Sequence, residues 1–227
     1  MKIRSALLAF TVAGVLGSTE TLAQNAYITN NDSGTVSVVD TTKDAIIATI
    51  PVGWGPFGVA VSPDGRKVYI GNWGYTVPVI DTRTNEVVAT VATTGNALGI
   101  AVSEDGHRVY STNFYDQSLS VIDTATNTVI ATAPAGPGPY GVIVANKKVY
   151  VANWNSPATV SVVDTATNKV IATIPVASDT NGPGVAASPD GRRVYVTNEI
   201  ADNVPVIDTA ADTVIATIPV RFLLVRR

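Results

Sequence analysis

The chain has 227 residues, 46% of them hydrophobic and 15% charged, and a formal net charge of −3 at pH 7. This weak acidity argues against nucleic acid or an anionic membrane as the main partner. The absence of cysteine excludes disulfides, covalently attached c-type haem and thiolate metal sites, and the single histidine excludes a multi-histidine metal site.

Residues 1–23 have the pattern of a secretory signal peptide. A basic start at Lys2 and Arg4 precedes the apolar run Ala6–Leu16, whose eleven residues are too few to span a bilayer, and small residues lead up to Ala23. The pattern predicts a periplasmic, secreted or cell-surface protein, with a retained anchor or a disordered tail as the alternative reading. No later apolar stretch is long enough to form a transmembrane segment.

Residues 24–220 are predicted to form a single repeat domain, because five near-copies of about forty residues fill them. Each copy contains the motif Tyr-x-x-Asn, which we call the tag, and then an apolar run that ends in Asp-Thr. The tags begin at Tyr27, Tyr69, Tyr110, Tyr150 and Tyr195, and the Asp-Thr pairs begin at Asp40, Asp81, Asp123, Asp164 and Asp208. Successive Asp residues are 41, 42, 41 and 44 positions apart. This period, with four short strands in each, is typical of β-propeller blades.

The third copy shows the strands that each blade is expected to contain. They are Val109–Thr112, Leu119–Asp123, Thr128–Ala133 and Tyr140–Ala145, which are rich in β-branched residues and separated by turn formers. Both faces of such strands are apolar, so each sheet must be covered on both sides, as a blade is by its neighbours. We therefore predict an all-β fold, a β-propeller of about five four-stranded blades.

The hairpin turns follow known turn chemistry. Three of them read Ser62-Pro63-Asp64-Gly65, Ser103-Glu104-Asp105-Gly106 and Ser188-Pro189-Asp190-Gly191, with glycine at the position that needs a positive φ. The fourth lacks glycine, so Asn146 is expected to take this conformation. Pro78 and Pro205 stand where most copies have serine, and a bulge is expected there because proline removes a ladder donor.

The first blade is predicted to be incomplete. Innermost strands are expected at Phe57–Ser62, Leu98–Ser103, Tyr140–Ala145 and Gly184–Ser188, which is one fewer than the number of copies. Residues 221–227 are then either a closing strand for the first blade, through Phe222–Val225, or the end of a chain shortened from a larger propeller. An open ring would expose blade faces and strand edges, which favours self-association.

The repeat resembles the YVTN-type β-propeller repeats, named after the motif that stands here as Tyr195-Val196-Thr197-Asn198. The segments 188–195 and 121–129 match the same repeat, and the likeness extends over nearly all of residues 26–220. This resemblance implies surface-layer-like or periplasmic propellers. It implies no single activity, because one fold supports many functions.

The ligand site is predicted on the propeller face that carries the loops after the second and fourth strands of each blade. The candidate ligand-binding residues are Trp54, Phe57, Trp73, Phe114, Tyr115, Tyr140 and Trp154. An aromatic rim with few charges suits stacking on a sugar, a flat cofactor or a peptide. The alternative is that these rings only fill gaps between blades.

The repeated polar residues are interpreted as structural. The asparagines that end the tags are expected to bond their own backbone or adopt a positive φ, and the Asp-Thr pairs to accept N–H groups in the following turn. The lone His107 falls in a hairpin on the opposite face. No nucleophile elbow, phosphate-binding loop or calcium loop is present.

This inventory leads to two hypotheses of function. The first is an exported, non-enzymatic propeller that acts as a binding or scaffold module at the cell envelope, without cofactor, metal or catalytic residue, for an unidentified protein, glycan or small molecule. The alternative is a divergent or truncated propeller enzyme of the quinoprotein or lactonase type. Innermost segments such as Val59–Val61 and Ile100–Val102 carry no charge, which counts against the enzyme.

Overall fold

The computed structural model describes residues 25–177 and 182–220. The predicted signal peptide and the predicted closing strand Phe222–Val225 lie outside these residues. Within them every regular element is a β-strand, and the strands form one three-stranded and four four-stranded antiparallel sheets. These sheets are the five predicted blades, so the predicted all-β propeller is confirmed.

The strands of each blade follow one another directly in the sequence. Blade 1 contains β1 (Asn25–Asn30), β2 (Thr35–Asp40) and β3 (Ala45–Pro51). Blade 2 contains β4 (Pro56–Val61), β5 (Lys67–Asn72), β6 (Thr76–Asp81) and β7 (Glu86–Ala92). Blade 3 contains β8 (Ala97–Val102), β9 (Arg108–Asn113), β10 (Ser118–Asp123) and β11 (Thr128–Pro134). Blade 4 contains β12 (Pro139–Ala145), β13 (Lys148–Asn153), β14 (Ala158–Asp164) and β15 (Val170–Ala177). Blade 5 contains β16 (Val185–Ala187), β17 (Arg193–Val196), β18 (Asn203–Asp208) and β19 (Thr213–Pro219).

The innermost strand of each complete blade forms a hairpin with the strand that carries the tag tyrosine. Gly65, Gly106 and Gly191 close three of these hairpins with φ of 69°, 73° and 66°, and Asn146 closes the fourth with φ of 50°, as expected. Blade 1 has no innermost strand among the described residues, which agrees with the predicted incomplete blade.

Four of the five asparagines at the ends of the tags do not bond their own turns, contrary to the prediction; only Asn198 does, where its Oδ1 accepts from the N–H of Ala201 at 3.2 Å. Asn113 donates through Nδ2 to the hydroxyls of Ser118 and Ser120 on the adjacent strand, at 2.9 and 2.8 Å. Asn30 and Asn153 make the same bonds within their own blades. The asparagine therefore ties two strands together across the sheet, because a serine two residues into the next strand faces it.

Proline breaks this arrangement in blades 2 and 5. Asn72 faces Pro78 instead of a serine and donates to the carbonyl of Val52, and Nδ2 of Asn198, near Pro205, has no partner within the described chain. The ladder beside each proline is also interrupted. The predicted bulge, however, is no effect of proline, since all five blades shift register at the same place in this strand.

The core of the molecule lies between consecutive blades. In the described residues, four clusters of buried apolar side chains join blade 1 to blade 2, blade 2 to 3, blade 3 to 4 and blade 4 to 5. The tag tyrosine of each of the first four blades is buried against the blade that follows. These residues are Tyr27, Tyr69, Tyr110 and Tyr150. Both faces of blades 2, 3 and 4 are therefore covered, as their apolar strands require.

Blades 1 and 5 each leave one face uncovered. On blade 5, Tyr195 is half-buried and Thr197 is exposed, whereas Tyr110 and Thr112 at the same positions of blade 3 are fully buried. On blade 1, Ile28 is half-buried although its equivalent Ile70 is fully buried. The described blades therefore form an open arc.

The Asp-Thr turns behave as predicted and give the fold an acid-sensitive element. Asp123 Oδ1 accepts the N–H groups of Ala125 and Thr126 at 3.0 and 2.8 Å, and Asp40, Asp81, Asp164 and Asp208 accept equivalent bonds. Hydrogen bonds to the charged carboxylate lower the pKa of Asp123, as they do for Asp40, Asp81 and Asp164. The folded state therefore binds protons less readily than the unfolded state.

We expect the melting temperature to stay level between pH 7 and pH 5 and to fall below about pH 4, where unfolded aspartate begins to bind protons. The sign follows from the lowered folded pKa values: the stability is present above the unfolded pKa and is lost as pH falls through the folded values. Thermal unfolding across this range measures the effect. Asp123→Asn should flatten the dependence, whereas Asp116→Asn, outside these turns, should not. A protein that melts higher at pH 3 than at pH 5 would contradict the prediction.

Candidate functional site

Aromatic side chains from blades 2, 3 and 4 meet on one face of the arc. Phe114 is at the centre, with ring centroids 5.2 Å from Tyr115, 5.7 Å from Trp154, 6.4 Å from Trp73 and 6.5 Å from Tyr140. Tyr140 also lies 5.3 Å from both Trp154 and Phe57, edge to face. We call these six residues the aromatic cluster: Phe57, Trp73, Phe114, Tyr115, Tyr140 and Trp154.

The structure thus brings together six of the seven predicted site residues. The seventh, Trp54, makes no ring contact with the cluster and is 72% exposed. Tyr115 is 64% exposed, while the other five rings are half-buried. The cluster is therefore both a packed group and an accessible surface, so the two readings of the aromatic residues, packing and ligand contact, do not exclude one another.

A repeated backbone bond fixes where the rings stand. The N–H of Trp73 donates to the carbonyl of Gly55 at 3.1 Å, and the N–H of Trp154 donates to the carbonyl of Gly138 at 2.8 Å. In blade 3 the N–H of Phe114 donates to the carbonyl of Asn96 at 3.2 Å. Each bond ties the loop after the tag to the loop that leads into the innermost strand of the same blade. The three rings are thereby placed at equivalent points around the arc.

Glycine is needed where these loops approach each other. Gly55 and Gly138 both have φ of 65°, and a Cβ at Gly55 would lie 2.9 Å from Cβ of Trp73. A Cβ at Gly138 would lie 3.3 Å from Phe114 Cε2. A larger residue would push the rings out of place, because the backbone conformation and the close contact both disfavour it.

The phenol of Tyr140 is partly removed from solvent within the cluster. Burial raises the pKa of Tyr140 to about 12. The group therefore stays protonated at neutral pH and can donate a hydrogen bond.

Charge is segregated between the two faces. Among the described residues, the loops on the face of the aromatic cluster carry four acidic residues, Asp32, Asp116, Glu199 and Asp202. Every lysine and arginine among the described residues lies in the turns of the opposite face or at the strand ends next to them: Lys43, Arg66, Lys67, Arg83, Arg108, Lys147, Lys148, Lys169, Arg192 and Arg193. The aromatic face is thus negative and, within the described chain, has no cation of its own. This separation of charge can be seen in the sequence, since the basic residues all flank predicted hairpins. It is missed when only the aromatic residues are considered.

His107 lies on the opposite face, as predicted, beside a cavity of about 290 Å³ between the hairpins of blades 2 and 3. Asp64, Lys67 and Tyr69 also line this cavity. Over residues 25–177 and 182–220, no three His, Cys, Asp or Glu side chains are grouped as a metal site would require. Across those same residues the structure contains no helix that could cross a membrane.

The sequence profile of the family described as Cytochrome D1 heme domain matches residues 22–149. No curated protein matches the chain. Among solved structures, hydrazine synthase of Kuenenia stuttgartiensis superposes with a TM-score of 0.76 at 22% identity, over 88% of this chain and 64% of that chain. Dihydro-heme d1 dehydrogenase NirN in complex with DHE superposes with a TM-score of 0.69 at 24% identity, over 90% of this chain and 46% of that chain.

These identities establish a common fold only, and the chain spans less than two thirds of the length of either structure. The resemblance to the YVTN-type repeats implied a β-propeller. This fold is confirmed by the matching family and by the two superpositions. The family that matches is a haem-domain family.

Proposed function

The chain belongs to the cytochrome D1 haem domain family, and from this premise we propose that it is the propeller of an exported haem-d1-type redox protein whose aromatic cluster contacts the plane of a tetrapyrrole. Three features support the proposal: the family, the six contiguous rings on one face, and the signal-peptide pattern of residues 1–23. The last also supports a periplasmic location.

The prediction of a non-enzymatic binding or scaffold module is wrong. The match to a haem-domain family overturns it and favours the alternative of a divergent propeller enzyme. The prediction failed because the absence of catalytic side chains was taken to exclude enzymatic activity. In cofactor proteins the cofactor performs the reaction and the protein supplies binding and orientation.

The aromatic cluster fits the plane of a macrocycle. Flat conjugated ligands stack on aromatic side chains, and Trp73, Phe114 and Trp154 present half-buried rings at neighbouring points of one face. Tyr140 can donate a hydrogen bond to a ring substituent, since its phenol stays protonated. A bound haem would supply electron transfer at its iron.

The same face does not fit the iron of a haem. Histidine, cysteine, methionine and, in some haem proteins, tyrosine are the side-chain ligands of haem iron, and of these only tyrosine lies on this face in the described part of the chain. His107 is on the opposite face, and the ring of Tyr140 packs edge to face against Phe57, Phe114 and Trp154.

The charges of this face also set how a macrocycle would lie. Its acidic groups, Asp116 among them, repel carboxylates, and no lysine or arginine of the described residues offsets them. A tetrapyrrole held here would keep its carboxylates in solvent. The face thus supports binding through the ring plane, without a histidine, cysteine or methionine ligand from the described residues.

Titration with metal-free protoporphyrin IX and with iron protoporphyrin IX tests this proposal. We expect both to quench tryptophan emission with dissociation constants that agree within about threefold, since no axial bond adds to the second. Trp73→Ala and Phe114→Ala should each weaken binding about fivefold to tenfold, because one aromatic contact contributes about 1 kcal/mol. The Soret band of the porphyrin gives a second readout.

Trp54→Ala is the matched control, because Trp54 stands on the same face outside the cluster. It should leave both dissociation constants unchanged. The ring-plane proposal would be overturned if neither porphyrin binds, or if iron increases affinity more than tenfold with a spectrum of ligated haem.

A further inference from the structure

Besides its apolar cluster, the interface between blades 4 and 5 contains an ion pair and a tyrosine bonded to it. Lys148 Nζ lies 2.7 Å from Asp212 Oδ2, and the hydroxyl of Tyr150 donates to Asp212 Oδ1 at 2.8 Å. Lys148 Nζ also donates to the carbonyl of Thr209 at 2.9 Å. The group joins the start of the tag strand in one blade to the Asp-Thr turn of the next, and both charged side chains are mostly buried.

The same three positions recur at the two open ends of the arc. The strand β17 of blade 5 begins Arg193-Val194-Tyr195, as β13 of blade 4 begins Lys148-Val149-Tyr150. Asp44 holds in blade 1 the turn position that Asp212 holds in blade 5, with φ of 49° and 53°. The other three blades have asparagine there: Asn85, Asn127 and Asn168.

These end groups have no partners within the described chain. Arg193 and Asp44 are exposed, and neither the guanidinium of Arg193, the carboxylate of Asp44 nor the hydroxyl of Tyr195 forms a hydrogen bond or ion pair among residues 25–177 and 182–220. The blade faces that carry them are the two uncovered faces, with Tyr195 and Ile28 half-buried.

We propose that blade 5 of one molecule binds blade 1 of a second copy head to tail, with Arg193 and Tyr195 of the first against Asp44 of the second. The contact would repeat the blade 4 to blade 5 interface, and it would cover Tyr195 and Ile28 as Tyr150 and Ile70 are covered within the chain. An arginine can bond a carboxylate through two N–H groups, which favours this pairing. The occupant is a second copy because one chain carries both complementary ends.

The interface is heterologous, since two different patches meet, and this allows a test by charge exchange. Sedimentation of the purified full chain should show assemblies larger than a monomer. Arg193→Asp places two aspartates opposite each other and Asp44→Arg places two arginines opposite each other. Each variant alone should raise the dissociation constant of self-association at least tenfold.

Mixing the two variants should restore assembly, because molecules of the two kinds can alternate. Blade 5 of the Arg193→Asp variant then sets its introduced aspartate against the introduced arginine on blade 1 of the Asp44→Arg variant. The next contact along the assembly pairs the native Arg193 of the second variant with the native Asp44 of the first. A variant that had merely lost its fold would not be rescued in this way.

Arg192→Asp is the matched control, since Arg192 is an exposed neighbour that pairs within its own hairpin at 3.9 Å from Asp190. It should leave assembly unchanged.

A wild-type chain that stays monomeric at all concentrations overturns the proposal, and this includes a monomer whose end faces are covered by residues 221–227. Assembly that persists in both charge variants, or that the mixture does not restore, also overturns it. The test is independent of porphyrin binding, which uses the aromatic cluster on another surface.

Discussion

Gly99→Ala is expected to destabilise the propeller by about 3 kcal/mol, at the upper end for an overpacked core. A Cβ at Gly99 would meet the carbonyl oxygen of Tyr140 in the neighbouring blade, and would also lie 3.1 Å from the side chains of Thr112 and Val142. The carbonyl is backbone and cannot turn aside, so blades 3 and 4 would have to separate. Denaturant unfolding measures the loss.

Gly184→Ala is the matched control, because it lies at the same repeat position in blade 5. Its Cβ would meet only Thr197, at 3.2 Å from the hydroxyl, with no neighbouring backbone of the described chain in reach. We expect the free energy of unfolding to change by no more than about 0.5 kcal/mol, since alanine also lowers the conformational entropy of the unfolded chain, which offsets a small loss in the folded state. Equal losses at the two sites would show that the close approach between blades does not explain the glycine.

Tyr110→Ala is expected to cost about 3–5 kcal/mol, as truncation of a fully buried aromatic does. Tyr110 is completely buried between blades 3 and 4, against Val142 and Val149. Tyr195→Ala removes the same repeat residue from the uncovered face of blade 5, and we expect a loss below about 1 kcal/mol for the monomer, as at weakly packed positions. Thermal and denaturant unfolding at low protein concentration compare the two.

Tyr110→Phe separates the ring from the hydroxyl. The hydroxyl of Tyr110 is buried without a partner in the described chain, so its removal should leave stability unchanged or raise it slightly. Tyr150→Phe removes a hydrogen bond to Asp212 and should lower stability. A loss for Tyr110→Phe as large as that for Tyr110→Ala would contradict the argument that ring packing carries the effect.

The repeat period and the turn residues were enough to predict the blades, because both are local properties of the sequence. Gly65 and Asn146 close their hairpins with the predicted backbone conformation. The prediction failed for four of the five tag asparagines, because the serine that Asn113 bonds, Ser120, faces it only once two strands are in register. A partner on another strand leaves no trace in the local pattern.

The sequence was enough to predict on which face of the propeller the aromatic rings lie, but not which rings contact one another. Each ring lies just after the end of a strand or at the start of one, which places it on the correct side, while the contacts of Phe114 depend on how three blades are turned against each other. Trp54 lies between Gly53 and Gly55, which both have positive φ, and its ring contacts none of the rings of the cluster. Function was harder still, since the family's chemistry belongs to a cofactor that leaves no catalytic motif in the sequence.

The open arc also decides how this molecule can come apart. Its described core is divided into clusters that each join two consecutive blades, so the stability is approximately a sum of blade terms and nearest-neighbour terms, as in a linear array. Blade 3 is held from both sides, whereas blades 1 and 5 are each held from one. Local opening therefore costs least at the ends, and amide hydrogens should exchange with solvent sooner in β1 and β17 than in β9. A second arc docked on the ends would remove this difference, so assembly and cooperativity of unfolding are coupled in this molecule.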